Sequence, residues 1–178
     1  MDGVGVKGDK NVLSAGARRL VFRLVRPVEN HEPLLDLFER AHHETRFNYI
    51  PFSRDKARRL LCQVMSEDAR HMIAAAEVGG TPEGFIYASV GEYFVGSNHL
   101  IVTINVVYTS QELRGSLLGG RAAVGLFRAV GRWAEGIEAR EILLHVTSGI
   151  SEERTGRTAR RVGFDLIGGS YARSLKHN

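Results

Sequence analysis

The chain is poor in cysteine, in lysine and in long apolar runs, and each shortage excludes a class of protein. Its 178 residues include one cysteine, Cys62, which cannot form an internal disulfide. A disulfide scaffold is therefore excluded, and a reducing compartment, the cytoplasm, is expected. No apolar run reaches the ~18 residues of a membrane-spanning helix, so no membrane partner is expected. Residues 1–19 are polar and glycine-rich, without the apolar region of a secretory signal.

Lysine is scarce because arginine supplies most of the positive charge. Four of the 24 basic residues are lysines and the other 20 are arginines. The net charge of +4 is uneven, since residues 113–178 carry 11 bases and 6 acids. This excess indicates an anionic partner for the C-terminal part, although solvated helix faces would also explain it. Nucleic acid is disfavoured as that partner, because no aromatic interleaving or recognised motif accompanies the arginines.

The length and the 43% of hydrophobic residues suit one domain with a core of its own. We expect a flexible tail over residues 1–19 and a single domain over residues 20–178. Alternating apolar residues predict strands, and apolar residues at helical spacing predict helices. The predicted strands are 20–26, 72–78, 85–94, 100–108, 141–146, 164–167 and 171–175. The predicted helices begin at Asn30, Ser53, Gly115 and Ser151.

The predicted order is β-α-α-β-β-β-α-β-α-β. Adjacent strands followed by alternating helices and strands favour an α/β protein with one mixed sheet and helices on its faces. No internal repeat or linker divides the pattern.

The residues most indicative of function lie where the strand 100–108 leads through a short loop into the longest predicted helix. The start of such a helix offers unpaired N–H groups and the positive end of the helix dipole, which suit a phosphate. Gly115 permits a close backbone approach, Gly119 and Gly120 remove bulk one turn on, and Arg114 and Arg121 add positive charge. A P-loop is excluded, because no Lys-Ser/Thr pair follows the glycines. The GxGxxG match at residues 3–8 lacks a preceding strand and a following helix.

These residues resemble the pyrophosphate motif of the GNAT superfamily of acyl-CoA-dependent N-acetyltransferases. That motif reads Arg/Gln-x-x-Gly-x-Gly/Ala, and here the run from Arg114 to Gly119 matches it except that Leu117 replaces the first glycine. The run from Arg160 to Phe164 is similar to the end of the family's penultimate helix. The resemblance covers residues 20–175 in element order.

The resemblance implies a central, mostly antiparallel sheet that is splayed to admit acetyl-CoA, without a metal. It implies transfer of an acetyl group to a primary amine of a small-molecule or peptidyl acceptor by direct attack, and a possible homodimer. The implied cofactor-binding residues are Val107, Tyr108, Thr109, Arg114, Gly115, Ser116, Leu117, Leu118, Gly119, Gly120 and Arg121. Main-chain groups of the first three would pair with pantetheine, and the others would hold the pyrophosphate.

Three residues are candidates for acid–base catalysis: Glu92, Glu44 and Tyr108. Glu92 is equally an ordinary strand carboxylate, and Glu44 lies in a histidine- and aromatic-rich segment that suits an acceptor pocket. Tyr108 is an alternative acid, because the family's usual tyrosine is replaced by Ala159. This replacement leaves open a second interpretation, a catalytically silent domain of the same fold that binds acyl-CoA or a protein partner.

Overall fold

The computed structural model describes residues 19–26, 30–64 and 70–173. The expected flexible tail, apart from Arg19, lies outside the described residues. Within these ranges, five strands and four helices form in the order β-α-α-β-β-β-α-β-α. The strands are β1 (Leu20–Leu24), β2 (His71–Val78), β3 (Thr81–Glu92), β4 (Leu100–Thr109) and β5 (Glu141–Leu144). The helices are α1 (Glu32–Glu44), α2 (Arg54–Val64), α3 (Leu117–Gly136) and α4 (Glu152–Arg161).

The strands form one mixed sheet in the order β1-β2-β3-β4-β5, which confirms the predicted fold class. The first three pairs are antiparallel and β4–β5 is parallel. A parallel neighbour requires a crossover connection, and α3 supplies it. The sheet is therefore mostly antiparallel, with its one parallel pair beside the segment predicted to carry the chemistry.

Both faces of the sheet are covered, because alternate side chains of each strand enter different cores. Ala74, Ala76 and Ile86 pack with α3 and α4, whereas Ile73 and Phe85 pack with α1 and α2. Covering on both faces explains why β2 is apolar without interruption from residue 72 to residue 76.

Strands β4 and β5 separate half-way along β4. Their pairing ends at Ile104 and Leu144, whereas β4 continues to Thr109. At the same point the register with β3 shifts, since Tyr87 pairs with Val106 and Ala88 with Ile104. The shift leaves Asn105 as the extra residue of a β-bulge, which increases the local twist and bends the strand. The sheet thus opens between β4 and the chain that follows β5.

The closing strands predicted for residues 164–167 and 171–175 do not form within the described residues 164–173. A strand needs a paired neighbour, and the adjacent edge strand β5 is only four residues long. Phe164 instead packs on Phe127 of α3, with ring centroids 5.6 Å apart, and Leu166 and Ile167 are exposed. Strand β5 also ends two residues earlier than predicted.

Candidate active site

The start of α3 forms a cradle of main-chain N–H groups at the open end of β4. Ser116 caps the helix, because its hydroxyl oxygen accepts a hydrogen bond of 3.0 Å from the N–H of Gly119. Gly115 has a φ of +82°, a left-handed conformation that glycine adopts without strain. In the described part of the chain, no acceptor pairs with the N–H groups of Gly115, Leu117 and Leu118. These donors, together with the helix dipole, form a site suited to a phosphate.

The glycines of this cradle have different roles. Gly119 is buried, and a Cβ atom there would overlap the carbonyl oxygen of Leu113, so it permits close packing of the helix on the preceding loop. Gly120 is exposed with open space around it, so this is the glycine that keeps the cradle clear. Leu117, which departs from the motif that the sequence resembles, is 91% exposed and does not fill the cradle.

A cleft of about 590 Å³ extends from the cradle along the space between α3 and α4. Val107, Tyr108 and Thr109 line one end, and Ala123 and Phe127 line the α3 side. The charged lining residues are all arginines: Arg114, Arg154, Arg157, Arg160 and Arg161. A cleft with basic walls and an open helix N-terminus has the electrostatics of a site for a polyphosphate.

Three predicted site residues, from α1, β4 and the loop before α3, meet in one cluster. The Tyr108 hydroxyl donates a hydrogen bond of 2.7 Å to Glu44 Oε1, and Arg114 Nη1 forms an ion pair of 2.5 Å with Glu44 Oε2. Arg114 also donates from Nε to the carbonyl oxygen of Thr109 and lies 4.9 Å above the Tyr108 ring. The Glu44 carboxylate is consequently held at two points beside the splay of the sheet.

Burial affects the protonation of Tyr108 in this cluster. Desolvation, together with the hydrogen bond to Glu44, raises the pKa of Tyr108 above its ordinary value. Tyr108 therefore keeps its proton at neutral pH and directs it to Glu44, which weakens it as an acid for a leaving thiolate. Arg114 Nη2 is buried without a hydrogen-bond acceptor in the described structure, and Arg114 lines the cleft.

The structure does not bring Glu92 into this cluster. Glu92 pairs with Leu100 at the other end of β4, and the eight residues from Leu100 to Tyr108 span roughly 25 Å of strand. Arg121 is exposed on α3 and does not line the cleft, and Leu118 packs against the core. Ala159, at the position where the resemblance would place a tyrosine, is buried in the core.

The residues expected to bind the cofactor did not include the wall formed by α4. Arg154, Thr158 and Arg161 line the cleft at the spacing i, i+4, i+7, so they share one helix face. This spacing is visible in the sequence. It points to a ligand only when the position of α3 opposite it is known.

Two features are absent from the described residues, 19–26, 30–64 and 70–173. None of the helices there is both long enough and apolar enough to cross a bilayer. No group of three or more histidine, cysteine, aspartate or glutamate residues is arranged to hold a metal ion within those ranges.

By sequence, the chain matches no protein-family model and no curated protein. By structure, it is similar to a ribosomal-protein-alanine N-acetyltransferase from Brucella melitensis biovar Abortus 2308, with a TM-score of 0.64 and 14% identity over 89% of this chain and 100% of that one. It is also similar to the aminoglycoside N-acetyltransferase AAC(6')-Iy in complex with CoA, with a TM-score of 0.65 and 14% identity over 93% of this chain and 100% of that one.

A third similar structure is an aminoglycoside acetyltransferase from an uncultured soil metagenomic sample, in complex with sisomicin. Its TM-score is 0.64 and its identity 13%, over 88% of this chain and 97% of that one. These proteins are N-acetyltransferases of the same architecture, and the likeness extends over nearly the whole of each chain. The chain therefore has the fold of the GNAT superfamily of N-acetyltransferases.

Proposed function

We propose that the protein is an acyltransferase that moves an acetyl group from acetyl-CoA to a primary amine. The observation that carries this proposal is the coincidence of the α3 cradle, the basic cleft and the splay between β4 and β5. A phosphate-bearing donor bound at the cradle would extend along β4 toward the bulge at Asn105. The similar structure that contains CoA supports an acyl-CoA as this donor.

The donor is held mainly by main-chain groups. The unpaired N–H groups of Gly115, Leu117 and Leu118 bind the pyrophosphate, and Arg154 adds positive charge beside Gly115. The free edge of β4 from Val107 to Thr109, which β5 leaves unpaired, pairs with the pantetheine amides. This arrangement directs the thioester toward the bulge, where main-chain N–H groups stabilise the developing oxyanion.

The reaction is a direct transfer. The uncharged amine nitrogen attacks the thioester carbonyl carbon, a C–N bond forms, and the C–S bond breaks as CoA leaves as the thiolate. The proton released by the nitrogen passes to a carboxylate base, and Glu44 is the candidate that the geometry favours over Glu92. Tyr108 and Arg114 hold the Glu44 carboxylate in place, and so act as positioning residues.

The acceptor is a small-molecule or peptidyl amine. The similar structures include an enzyme named for ribosomal-protein alanine and an aminoglycoside acetyltransferase in complex with sisomicin. The α1–α2 loop, which follows Glu44, would supply much of the pocket. Its Arg46 N–H donates a hydrogen bond of 2.8 Å to the carbonyl oxygen of Ser148, which joins this loop to the chain that follows β5 at the mouth of the cleft.

The test is release of the CoA thiol from acetyl-CoA in the presence of a panel of primary amines, with Glu44→Gln and Glu92→Gln compared side by side. We expect kcat/KM to fall by about 100-fold or more for Glu44→Gln, because a positioned base contributes factors of this size. Glu92→Gln should remain within about threefold of the wild type. The reverse order would transfer the base role to Glu92.

The second candidate function is a silent domain that binds acyl-CoA without turnover. The burial of Ala159 favours it, since no side chain there can protonate the leaving thiolate. Tight binding of acetyl-CoA by calorimetry, without thiol release for any amine of the panel, would support this function over the first.

A further inference from the structure

The loop between α1 and α2, residues 45–53, carries apolar side chains at the surface. Tyr49 is 76% exposed, and Phe47 and Ile50 are exposed as well. The loop is held by its own hydrogen bonds, because the Ile50 N–H donates to the Phe47 carbonyl over 2.9 Å and His42 Nε2 donates to the Ile50 carbonyl over 2.6 Å. A ligand that binds these side chains therefore loses little free energy to ordering of the loop.

This loop lies beside the open half of β4. A Cβ atom of Gly149 would be 3.4 Å from the Cβ atom of Arg46, so the loop packs on the segment that leads to Ile150, a lining residue of the cleft. On the strand, Val106 is exposed, and it faces the same side of the sheet as Tyr108 because it lies two residues earlier. That side is the one that α1 and α2 cover. The loop and Val106 thus share a face of the sheet, opposite the face of the cleft between α3 and α4.

The segments at this side of the splay contain a single carboxylate. Residues 42–53, 105–109 and 145–151 include one acidic residue, Glu44. Its charge is already balanced by the ion pair with Arg114. A molecule with several ammonium groups would have to leave water without a carboxylate for most of them, which is unfavourable. An apolar surrounding also disfavours the ammonium form of a single amine, and the uncharged form is the one that attacks.

We propose that the acceptor is a monoamine with an apolar body, aliphatic or aromatic, and not a polycation such as an aminoglycoside. The inference rests on the proposed function, in which Glu44 takes the proton from the attacking nitrogen. With the nitrogen at Glu44, the apolar body of the acceptor lies against Phe47, Tyr49 and Ile50. The shared fold does not transfer the acceptor of a similar enzyme to this chain, because the loop residues set the charge of the acceptor side.

The experiment measures release of the CoA thiol from acetyl-CoA by the full chain with a designed set of amines. Hexylamine and 1,6-diaminohexane are a matched pair that differs by the second ammonium group. We expect kcat/KM to be at least about tenfold higher for hexylamine, because only the diamine desolvates an unpaired charge. From propylamine to hexylamine, kcat/KM should rise about threefold per added methylene. 2-Phenylethylamine should resemble hexylamine, and sisomicin should be the poorest acceptor.

Variants of Tyr49 test whether the loop supplies the apolar contact. Tyr49→Ser should raise KM for hexylamine about fivefold and leave kcat within about twofold, because the contact is made equally before and during the reaction. Tyr171→Ser is the matched control, since Tyr171 is fully exposed and does not line the cleft, and it should change neither constant. Tyr49→Asp supplies a second carboxylate and should shift the preference several-fold toward 1,6-diaminohexane.

Two kinds of failure are distinguishable. Thiol release that is as fast or faster with 1,6-diaminohexane or sisomicin than with hexylamine would overturn the monoamine inference and leave acetyl transfer standing. An unchanged KM for hexylamine in Tyr49→Ser would overturn the role of the loop in the same way. Absence of thiol release with every amine of the set would overturn the proposed function, and this inference with it.

Discussion

The two helical layers of the protein give arginine opposite environments. On the α1–α2 side, Arg54 contacts the carboxylates of Glu32, Asp36 and Glu39, and Arg58 contacts Glu32 and Asp55. On the α3–α4 side, the cleft is lined by five arginines without a carboxylate among the lining residues. The first set joins two helices, whereas three arginines of the second set, Arg154, Arg160 and Arg161, have no ion-pair partner among the described residues.

We propose that this difference separates the charges that stabilise the fold from the charges that bind a ligand. Hydrogen bonds from Arg54 and Arg58 lower the pKa of Glu32, so all three groups remain charged and paired at neutral pH. Among the described residues, Arg157 of α4 is paired with Glu153, whereas Arg154, Arg160 and Arg161 have no ion-pair partner. We expect a bound anion to offset the repulsion among these like charges. Arg114 lies between the two cases: it lines the cleft, but its charge is balanced by Glu44 at the end of α1.

The largest expected effect comes from placing negative charge inside the basic cleft. Gly120→Asp should weaken acetyl-CoA binding by tenfold or more, because the carboxylate opposes a phosphate at the start of α3. Gly131→Asp makes the same change further along α3, where a new Cβ also meets nothing, and it controls for the effect on the helix. Calorimetric titration with acetyl-CoA measures both, and an unchanged affinity for Gly120→Asp would refute the placement of the cradle.

A pair of alanine variants tests the two kinds of arginine directly. Arg154→Ala should weaken acetyl-CoA binding about fivefold while leaving thermal stability the same or slightly higher, since a like-charge repulsion is removed. Arg54→Ala should lower the melting temperature and leave acetyl-CoA affinity unchanged. Thermal melts measure the stability of both variants, and calorimetric titrations measure their affinity for acetyl-CoA. Loss of binding in Arg54→Ala would mean that the α1–α2 network also serves the cleft.

Tyr108 and Glu44 link the two layers, and the pH dependence of stability measures that link. The pKa of Tyr108 is raised in the folded state by burial and by Glu44, relative to about 10 in the unfolded chain. Its contribution is therefore complete below about pH 10 and is lost as the pH rises through the folded-state pKa. The stability difference between the wild type and Tyr108→Phe should shrink as the pH rises above about 10 in denaturant titrations. A stability difference that does not change with pH would show that the phenol proton of Tyr108 does not contribute to stability.

The smallest expected effect is that of salt on the α1–α2 network. Exposed ion pairs are screened, so raising NaCl from 0.05 to 0.5 M should lower the melting temperature only slightly. Acetyl-CoA binding should weaken several-fold over the same range, because the ligand meets a concentrated positive charge. If salt changed the melting temperature and the acetyl-CoA affinity to the same extent, the two helical layers would not differ in the role of their charges.

Much of the fold could be predicted from the sequence, because the patterns that specify it are local. The apolar stripe of α1, the turn at Gly79 and Gly80, and the strand-to-helix transition at the start of α3 each lie within a short window. The predicted closing strands failed for the opposite reason. Alternation of apolar residues indicates that a segment can extend, but pairing depends on an available neighbour, which β5 hardly provides.

Single residues of the candidate site could be predicted from the sequence, but their contacts could not. Glu44, Tyr108 and Arg114 were each expected in the site, but in separate roles, as base, acid and phosphate ligand. Their contact could not be predicted, since 64 residues separate Glu44 from Tyr108 and no local pattern relates them. The role of Gly119 also changed, from clearance for a ligand to clearance for the carbonyl of Leu113.

The sequence by itself determined five of the predicted strands and the four helices, the helix start at which N–H groups are left unpaired, and the basic character of the C-terminal part. These properties follow from residue type and near-neighbour spacing. Only the tertiary structure decided which arginines are neutralised and which line a cleft, and which carboxylate stands beside Tyr108. Charge interactions act through space over several ångströms, so their partners are set by how α1, α3 and α4 pack on the sheet.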